Sequence, residues 1–155
     1  DLAAKEGAFA YEYTGYLANI HSVETYYQAN LDMLNQQKFY SLFSPNQKIH
    51  TKVKNEEPTY YASGSKVNTS QFASGSIIEG EVDKSIISRN VRINKDSLVK
   101  ESLIFPRVVV GKGAQVEYAI VDKGAEIAEG VVIRGTAENP VVIKKGEKVT
   151  EDILA

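Results

Sequence analysis

Few residues of this chain have side chains suited to acid–base, nucleophilic or metal chemistry, and they are not clustered. The 155 residues include no cysteine and two histidines, His21 and His50. Without cysteine there is no thiolate nucleophile, thiolate metal site or disulfide, and a reducing cytoplasm suits this composition. No histidine follows position 50, so the rest of the chain lacks the usual general base and imidazole metal ligand.

The carboxylates are also dispersed. Asp83, Asp96, Asp122 and Glu129 are spread along the second half of the chain, without a pair that would act as acid and base. We interpret them as solvated charges at turns. The sequence therefore predicts no catalytic residue and no metal site.

Three cations recur at similar intervals, namely Arg89, Arg107 and Lys123. In the repeat described below they fall at equivalent corners of successive coils, where they would form a basic column about 10 Å long. Such a column could hold a phosphorylated effector through charge-assisted hydrogen bonds. The alternative is a row of corner charges in water.

The overall charge does not indicate a polyanionic partner. The net charge is -2, from 18 basic and 20 acidic residues of interleaved sign, so we expect neither nucleic acid nor membrane binding. No apolar run approaches the roughly 18 residues of a membrane-spanning helix, and the N-terminus has no signal-peptide pattern. A soluble cytoplasmic protein is expected.

A sequence repeat predicts the elements that carry these side chains. Its units have equal length and begin at Val82, Val99 and Val116, and each unit has three aliphatic anchors at nearly even spacing. A small or β-branched residue lies two positions before each anchor, as in a short strand. This phasing predicts a mainly β fold, a left-handed parallel β-helix of hexapeptide type, over residues 62–155. An antiparallel sandwich is the alternative, but a sandwich would not need strict phasing. The three anchor series are Val82, Val99, Val116 and Ile133; Ile87, Ile104 and Val121; and Ile93, Val110 and Ile127.

The corners of the coils can also be predicted. Six positions lie three places after an anchor, and five of them hold Gly, Asn or Asp, which tolerate a positive φ. Arg107 is the exception. Upstream the pattern continues with a shortened side, and downstream residues 135–140 interrupt it before residues 141–149 resume or cap it. The six corner residues are Asn90, Asp96, Arg107, Gly113, Gly124 and Gly130.

One outward row of the predicted solenoid is wholly aliphatic. Ile86, Leu103 and Ile120 occupy the same position on successive coils, whereas the other outward rows mix polar and apolar residues. A patch of three stacked aliphatic side chains is usually covered. We therefore predict that another domain or subunit packs on this row.

The segment before the solenoid has a different character. Tyr11, Tyr13 and Tyr16 predict a short strand, and Ser22 predicts the N-cap of a helix that ends near Leu34 and has one apolar face. Residues 35–61 are polar, contain two prolines and have few periodic apolar residues, so they are predicted to be a linker.

With these elements in order, almost the whole chain resembles the C-terminal part of bacterial glucose-1-phosphate adenylyltransferase, also called ADP-glucose pyrophosphorylase. The phrases that carry the resemblance are YEYTGY at 11–16, SVETYYQANLDML at 22–34, SLIFPRVVVGKGAQVE at 102–117 and AIVDKGAEIAEGVVI at 119–133. The resemblance implies that residues 1–34 close an α/β nucleotidyltransferase domain whose greater part lies outside this chain. It also implies Mg²⁺ in the parent enzyme, no cofactor in residues 1–155, and no catalytic residue here.

One departure from the family distinguishes this chain. Catalytic members typically have Tyr-Trp-Arg-Asp-Val-Gly-Thr before the helix, with the Asp helping to position the sugar phosphate and Mg²⁺. Residues 16–22 here are YLANIHS, so Asn19 stands at the carboxylate position and His21 replaces a small residue. A neutral amide is a poorer ligand for a hard cation. Asn19 and His21 are thus predicted to be remnants of a sugar-phosphate pocket, with His21 a bystander.

This departure resembles the GlgD-type regulatory subunit, which implies a GlgC-type catalytic partner in a mixed tetramer and regulation by a sugar-phosphate effector. We therefore expect an assembly and allosteric domain in glycogen biosynthesis. Two alternatives remain. One is a catalytically competent subunit that tolerates Asn19, and the other is a hexapeptide acyltransferase, which would need a histidine between coils.

Overall fold

The computed structural model describes residue 7 and residues 10–44, 49–52 and 54–155. Two helices precede a parallel β-solenoid: α1 (Val23–Leu31), which continues as a 3₁₀ helix (Asp32–Leu34), and α2 (Gln36–Leu42). The strands are β1 (Tyr60–Tyr61), β2 (Lys66–Asn68), β3 (Gln71–Phe72), β4 (Ile77–Ile78), β5 (Glu81–Asp83), β6 (Ile86–Ile87), β7 (Arg92–Ile93), β8 (Leu98–Lys100), β9 (Leu103–Ile104), β10 (Val109–Val110), β11 (Gln115–Glu117), β12 (Ala119–Val121), β13 (Glu126–Ile127), β14 (Val132–Arg134), β15 (Val141–Ile143), β16 (Lys148–Val149) and β17 (Ile153–Leu154).

Every third strand joins the same sheet, so three parallel sheets form the sides of a prism. Sheet A has the order β1-β4-β7-β10-β13-β16, sheet B the order β2-β5-β8-β11-β14-β17, and sheet C the order β3-β6-β9-β12-β15. The central register equals one unit of the repeat, as in Val99↔Val116 and Val116↔Ile133. The predicted mainly β parallel solenoid is confirmed.

The anchors predicted from the repeat form the core. Val82, Val99, Val116 and Ile133 are fully buried, and the anchors of the other two series are buried beside them. Stacking of like aliphatic side chains from coil to coil explains this continuous core, because no single coil could bury its own anchors.

The register changes at both ends of the repeat. The partners in Val67↔Val82 and in Phe72↔Ile87 are closer in sequence than the partners of the central register, which confirms the shortened upstream coil. Val121 pairs with Ile143, more than one repeat unit later, because residues 135–140 form an extra loop before sheet C resumes at β15. Residues 141–149 therefore continue the solenoid.

All six predicted corners have a positive φ, including Arg107 at 63°. A third series of corners was not predicted: Lys84, Glu101 and Tyr118 have φ of 44°, 44° and 50°. These residues follow the sheet B anchors by only two positions, and none is of a type that favours this backbone region. The phase of the repeat, rather than residue preference, determines their conformation.

The segment before the solenoid differs from prediction in three respects. The prediction of a strand near Tyr11, Tyr13 and Tyr16 is wrong, because residues 10–21 are irregular and no described strand pairs with them. The predicted linker at 35–61 contains α2, for which the Asn35 side chain is the N-cap. The solenoid begins at Tyr60, slightly earlier than predicted. Ser22 does cap α1, as expected, and forms a capping box with Thr25.

None of the helices in the described part of the chain has the length and apolarity needed to cross a membrane.

Candidate functional site

The aliphatic outward row of sheet C is covered by α1 of the same chain. Leu103 is 3% exposed and Ile120 6% exposed, and both pack in one apolar cluster with the fully buried Tyr27. Within this chain, the helix α1 covers the row. The apolar face of α1 packs against the apolar row of the solenoid, so each surface shields the other from water. The side chains around this cluster are Tyr26, Leu31, Ile86, Phe105 and Tyr118.

Three hydrogen bonds connect α1 and the 3₁₀ helix that continues it to the solenoid. The Tyr27 hydroxyl donates to the main-chain oxygen of Glu101 at 2.5 Å. Toward one end Gln71 Nε2 donates to the Met33 carbonyl oxygen at 2.6 Å, and toward the other Gln28 Nε2 donates to the Ala137 carbonyl oxygen at 3.4 Å. The helix thus runs against the direction of solenoid growth, from the later coils toward the first.

The irregular segment before α1 is attached to the helices by a polar cluster. Tyr16 donates its hydroxyl to Asp32 Oδ2 at 2.9 Å, and Lys38 Nζ lies 2.6 Å from Asp32 Oδ1 and 5.6 Å from the centre of the Tyr16 ring. Burial, followed by the hydrogen bond to Asp32 and its charge, raises the pKa of Tyr16. The tyrosine therefore stays a neutral donor to the carboxylate.

An open groove of about 550 Å³ lies beside the start of α1. Its walls are mainly apolar and include Ile20, Val23, Tyr26, Ile120 and Val142, with His21 and Ser22 as polar members. The Ser22 hydroxyl is already engaged because it accepts the Thr25 amide as the helix cap. Besides Ser22, the residues of the lining with polar side-chain groups are His21 and Tyr26.

Of the two predicted pocket remnants, only His21 lines this groove. Asn19 and His21 are both exposed, and the imidazole Nδ1 lies 3.3 Å from the main-chain oxygen of Asn19. The Asn19 side chain is not among the groove walls. What His21 can reach is thus a carbonyl oxygen and an apolar surface.

The predicted basic column is staggered. The Gly124 amide donates to the Pro106 oxygen, and the Arg107 amide donates to the Arg89 oxygen. Arg89 is therefore aligned from coil to coil with Pro106 and Lys123. Arg107 lies one residue after this position. Arg89 Nε lies 3.8 Å from Glu56 Oε2, so this cation is already paired. Arg107 and Lys123 are exposed, and neither has an ion pair within the described residues.

The column has a further member that the sequence did not reveal. Gly146 N donates to the Lys123 oxygen, so Lys145 follows Lys123 at the same corner. The loop at 135–140 lengthens this coil, and the added length hid the equivalence. The exposed basic corner therefore consists of Arg107, Lys123 and Lys145.

The acidic side chains remain dispersed in the structure. Asp83 accepts from Asn68 at 2.7 Å, Asp96 lies 4.0 Å from Lys112, and Asp122 accepts the amide of Lys123. In the described ranges no three His, Cys, Asp or Glu residues come close enough to hold a metal. These dispersed carboxylates do not converge as the oxygen ligands of a Mg²⁺ ion would.

With the geometry described, the chain can be compared with known proteins. Residues 51–152 match the family model described as GlmU-like, C-terminal hexapeptide. The chain belongs to this family.

The hexapeptide domain also has curated relatives. It is 39% identical to the glycogen biosynthesis protein GlgD of Bacillus subtilis (strain 168) over 136 residues, covering 88% of this chain and 40% of that protein. It is 31% identical to the glucose-1-phosphate adenylyltransferases of Bacillus mycoides (strain KBAB4) and Bacillus cereus (strain ATCC 10987) over 140 residues, 89% of this chain and 37% of each enzyme. The chain spans about two fifths of the length of these relatives.

Proposed function

We propose that this hexapeptide domain is the assembly and allosteric part of a GlgD-type subunit of glucose-1-phosphate adenylyltransferase. In that role it serves glycogen biosynthesis, in which ATP and glucose 1-phosphate give ADP-glucose and pyrophosphate. Its similarity to a protein named for glycogen biosynthesis and to adenylyltransferases supports the pathway. The observation that carries the scaffold role is the burial of Leu103 and Ile120 under α1.

This burial has a mechanical consequence. Because α1 is held by an apolar cluster and by hydrogen bonds of Gln28, Tyr27 and the Met33 carbonyl, it has little freedom to move against sheet C. A nucleotidyltransferase domain of the same subunit that joins the chain before α1 would be held rigidly on the solenoid. The solenoid would then fix the orientation of that domain toward its neighbours.

The chemistry of the segment before α1 favours a regulatory subunit over a catalytic one. The exposed Asn19 offers a neutral amide, and a hard cation such as Mg²⁺ prefers carboxylate oxygens. We expect the Mg²⁺ of the parent reaction to be held by a GlgC-type catalytic subunit in a mixed tetramer. His21 is a bystander at the apolar groove in this proposal.

The exposed basic corner is the candidate site for a sugar-phosphate effector. Arg107 and Lys123 are free of ion pairs in the described residues, whereas Arg89 is paired with Glu56. Two unpaired cations on neighbouring coils, about 5 Å apart along the solenoid, match the spacing that a phosphate group can bridge. We expect neither a nucleic acid nor a membrane as partner.

The proposal is tested with the full subunit, purified alone and together with its catalytic partner. We expect no turnover from the subunit alone and an altered maximal rate or effector response when it is added to the partner. The catalytic partner alone is the control. Robust activity of the subunit by itself would overturn the proposal and establish the second candidate, a catalytically competent subunit, which the 31% identity to adenylyltransferases favours.

A further inference from the structure

A short segment before the first strand brings a carboxylate to the corner that carries the basic residues. This strap, residues 56–59, continues the backbone hydrogen bonds of the corner one coil before the solenoid begins, because the Gly75 amide donates to the Glu57 oxygen at 2.6 Å. The Thr59 hydroxyl donates to the Ala73 oxygen at 2.7 Å and fixes the far end of the strap. The Glu56 side chain is thus held against the corner.

Glu56 places one carboxylate oxygen between two groups on successive coils. Ser74 Oγ donates to Glu56 Oε2 at 3.2 Å, and Arg89 Nε lies 3.8 Å from the same oxygen. Ser74 and Arg89 occupy the same corner position, since the Asn90 amide donates to the Ser74 oxygen. A hydroxyl beside a guanidinium is also a suitable environment for a phosphate oxygen. The Glu56 carboxylate therefore lies where a phosphate group could bind.

The contact between Glu56 and Arg89 is incomplete. A separation of 3.8 Å allows an ion pair but is too long for a hydrogen bond, and the Arg89 guanidinium makes no side-chain hydrogen bond within the described residues. The two side chains are 23% and 37% exposed, so water weakens their attraction. A phosphate group has more charge and can offer two oxygens to the planar guanidinium. Arg89 is therefore neutralised by Glu56 but still free to donate hydrogen bonds.

We propose that Ser74 and Arg89 form a phosphate-binding cradle, which Glu56 closes until a phosphorylated ligand displaces its carboxylate. The cradle is continuous with the exposed basic corner, because Arg89 is aligned with Lys123 two coils later, about 10 Å away. Displacement of Glu56 would add Arg89 to the cations that a ligand can reach. This inference rests on the proposed effector role of the basic corner and adds an internal competitor to it.

Titration of the 155-residue chain with inorganic pyrophosphate at constant ionic strength, followed by NMR, tests the cradle. Pyrophosphate should shift the Arg89 Nε–Hε and Ser74 amide signals. We expect Glu56→Gln to tighten binding about fivefold, because the amide keeps the size of the side chain but removes the competing charge. Glu57→Gln is the matched control, since Glu57 is exposed and its side chain has no partner in the described residues. It removes the same charge and should change the affinity less than about twofold.

A double substitution identifies the group that gains from the loss of Glu56. Adding Arg89→Gln to Glu56→Gln should return the affinity to that of the unsubstituted chain or below it. Equal effects of Glu56→Gln and Glu57→Gln, or an Arg89 signal that does not move at saturation, would overturn the proposal. If signals around Lys123 still shift in that case, the effector role of the basic corner stands and only the cradle fails. Signals that move at neither place would contradict both.

Discussion

Tyr27 and Glu101, 74 residues apart in sequence, are joined by a hydrogen bond of 2.5 Å from the phenol to a main-chain carbonyl oxygen. Tyr27 is fully buried, and Glu101 is a corner residue with a φ of 44°. At this corner, α1 supplies the donor for the Glu101 carbonyl. This bond therefore connects the backbone of the solenoid to the helix that covers it.

We expect Tyr27→Phe to lower the free energy of unfolding by about 1 kcal/mol, because the partly buried carbonyl of Glu101 would lose its donor. Urea unfolding followed by circular dichroism measures the change. Tyr40→Phe is the matched control, since Tyr40 is 56% exposed, and should change stability by less than about 0.5 kcal/mol. An equal effect of the two substitutions would show that the Tyr27–Glu101 bond contributes nothing specific.

The same tyrosine makes stability depend on pH in the alkaline range. Burial first, and then the charges of Glu101 and Tyr118, raise the pKa of Tyr27 far above its ordinary value of 10.0. Above pH 10 the unfolded chain releases this proton while the folded chain retains it, so the free energy of unfolding falls as pH rises, by about 1.4 kcal/mol per pH unit. Below pH 10 this contribution is fully present.

Unfolding measured between pH 8 and pH 11 tests this linkage. Tyr27→Phe should show a shallower loss of stability than the unsubstituted chain. A remaining slope is expected in both proteins because the pKa values of Tyr16 and Tyr61 are also raised, in each case chiefly by burial. Parallel curves for the two proteins would contradict the assignment to Tyr27.

The attachment of α1 to the solenoid should be removable without unfolding the coils. We expect Leu103→Glu to release α1, because the charge would be buried without a partner, while the inward neighbour Ile104 stays in the core. Hydrogen exchange should then show loss of protection in residues 23–31 and retained protection in β8, β9 and β11. Val109→Glu, an outward residue of sheet A on the same coil, is the control and should leave α1 protected.

Much of the fold could be predicted from sequence because the inward positions repeat. Val82, Val99 and Val116 determine the register of sheet B, and even the unfavourable corner at Arg107 followed from phase alone. The cover of the outward row could not be assigned in the same way. The apolar face of α1 and the outward row of sheet C were each recognisable, but periodicity within an element does not say which other surface meets it.

Two other features lay beyond sequence reasoning for local reasons. The helix α2 is short and depends on the Asn35 cap, so it gives no periodic signal. The loop at 135–140 lengthens the last repeat unit, and this added length places Lys145 at the exposed basic corner. The number of extra residues could not be predicted from the repeat, so the position of Lys145 was not predicted either. The proposed site residues Arg107 and Lys123, in contrast, lie within the regular repeat.

The corner shared by Arg107 and Gly124 gives a matched test of backbone strain. The two residues occupy the same position on successive coils, with φ of 63° and 68°. In this left-handed region of φ, a non-glycine residue has a backbone strain of about 1–2 kcal/mol relative to glycine. A Cβ at Gly124 would meet no atom within 4 Å, so the substitution would add this strain without a steric clash. We expect Gly124→Ala to lower the free energy of unfolding by about 1 kcal/mol and Arg107→Gly to raise it by somewhat less, since glycine also gains entropy in the unfolded chain. Urea unfolding of both variants measures the changes, and changes of the same sign would show that the repeat does not impose one conformation on this corner.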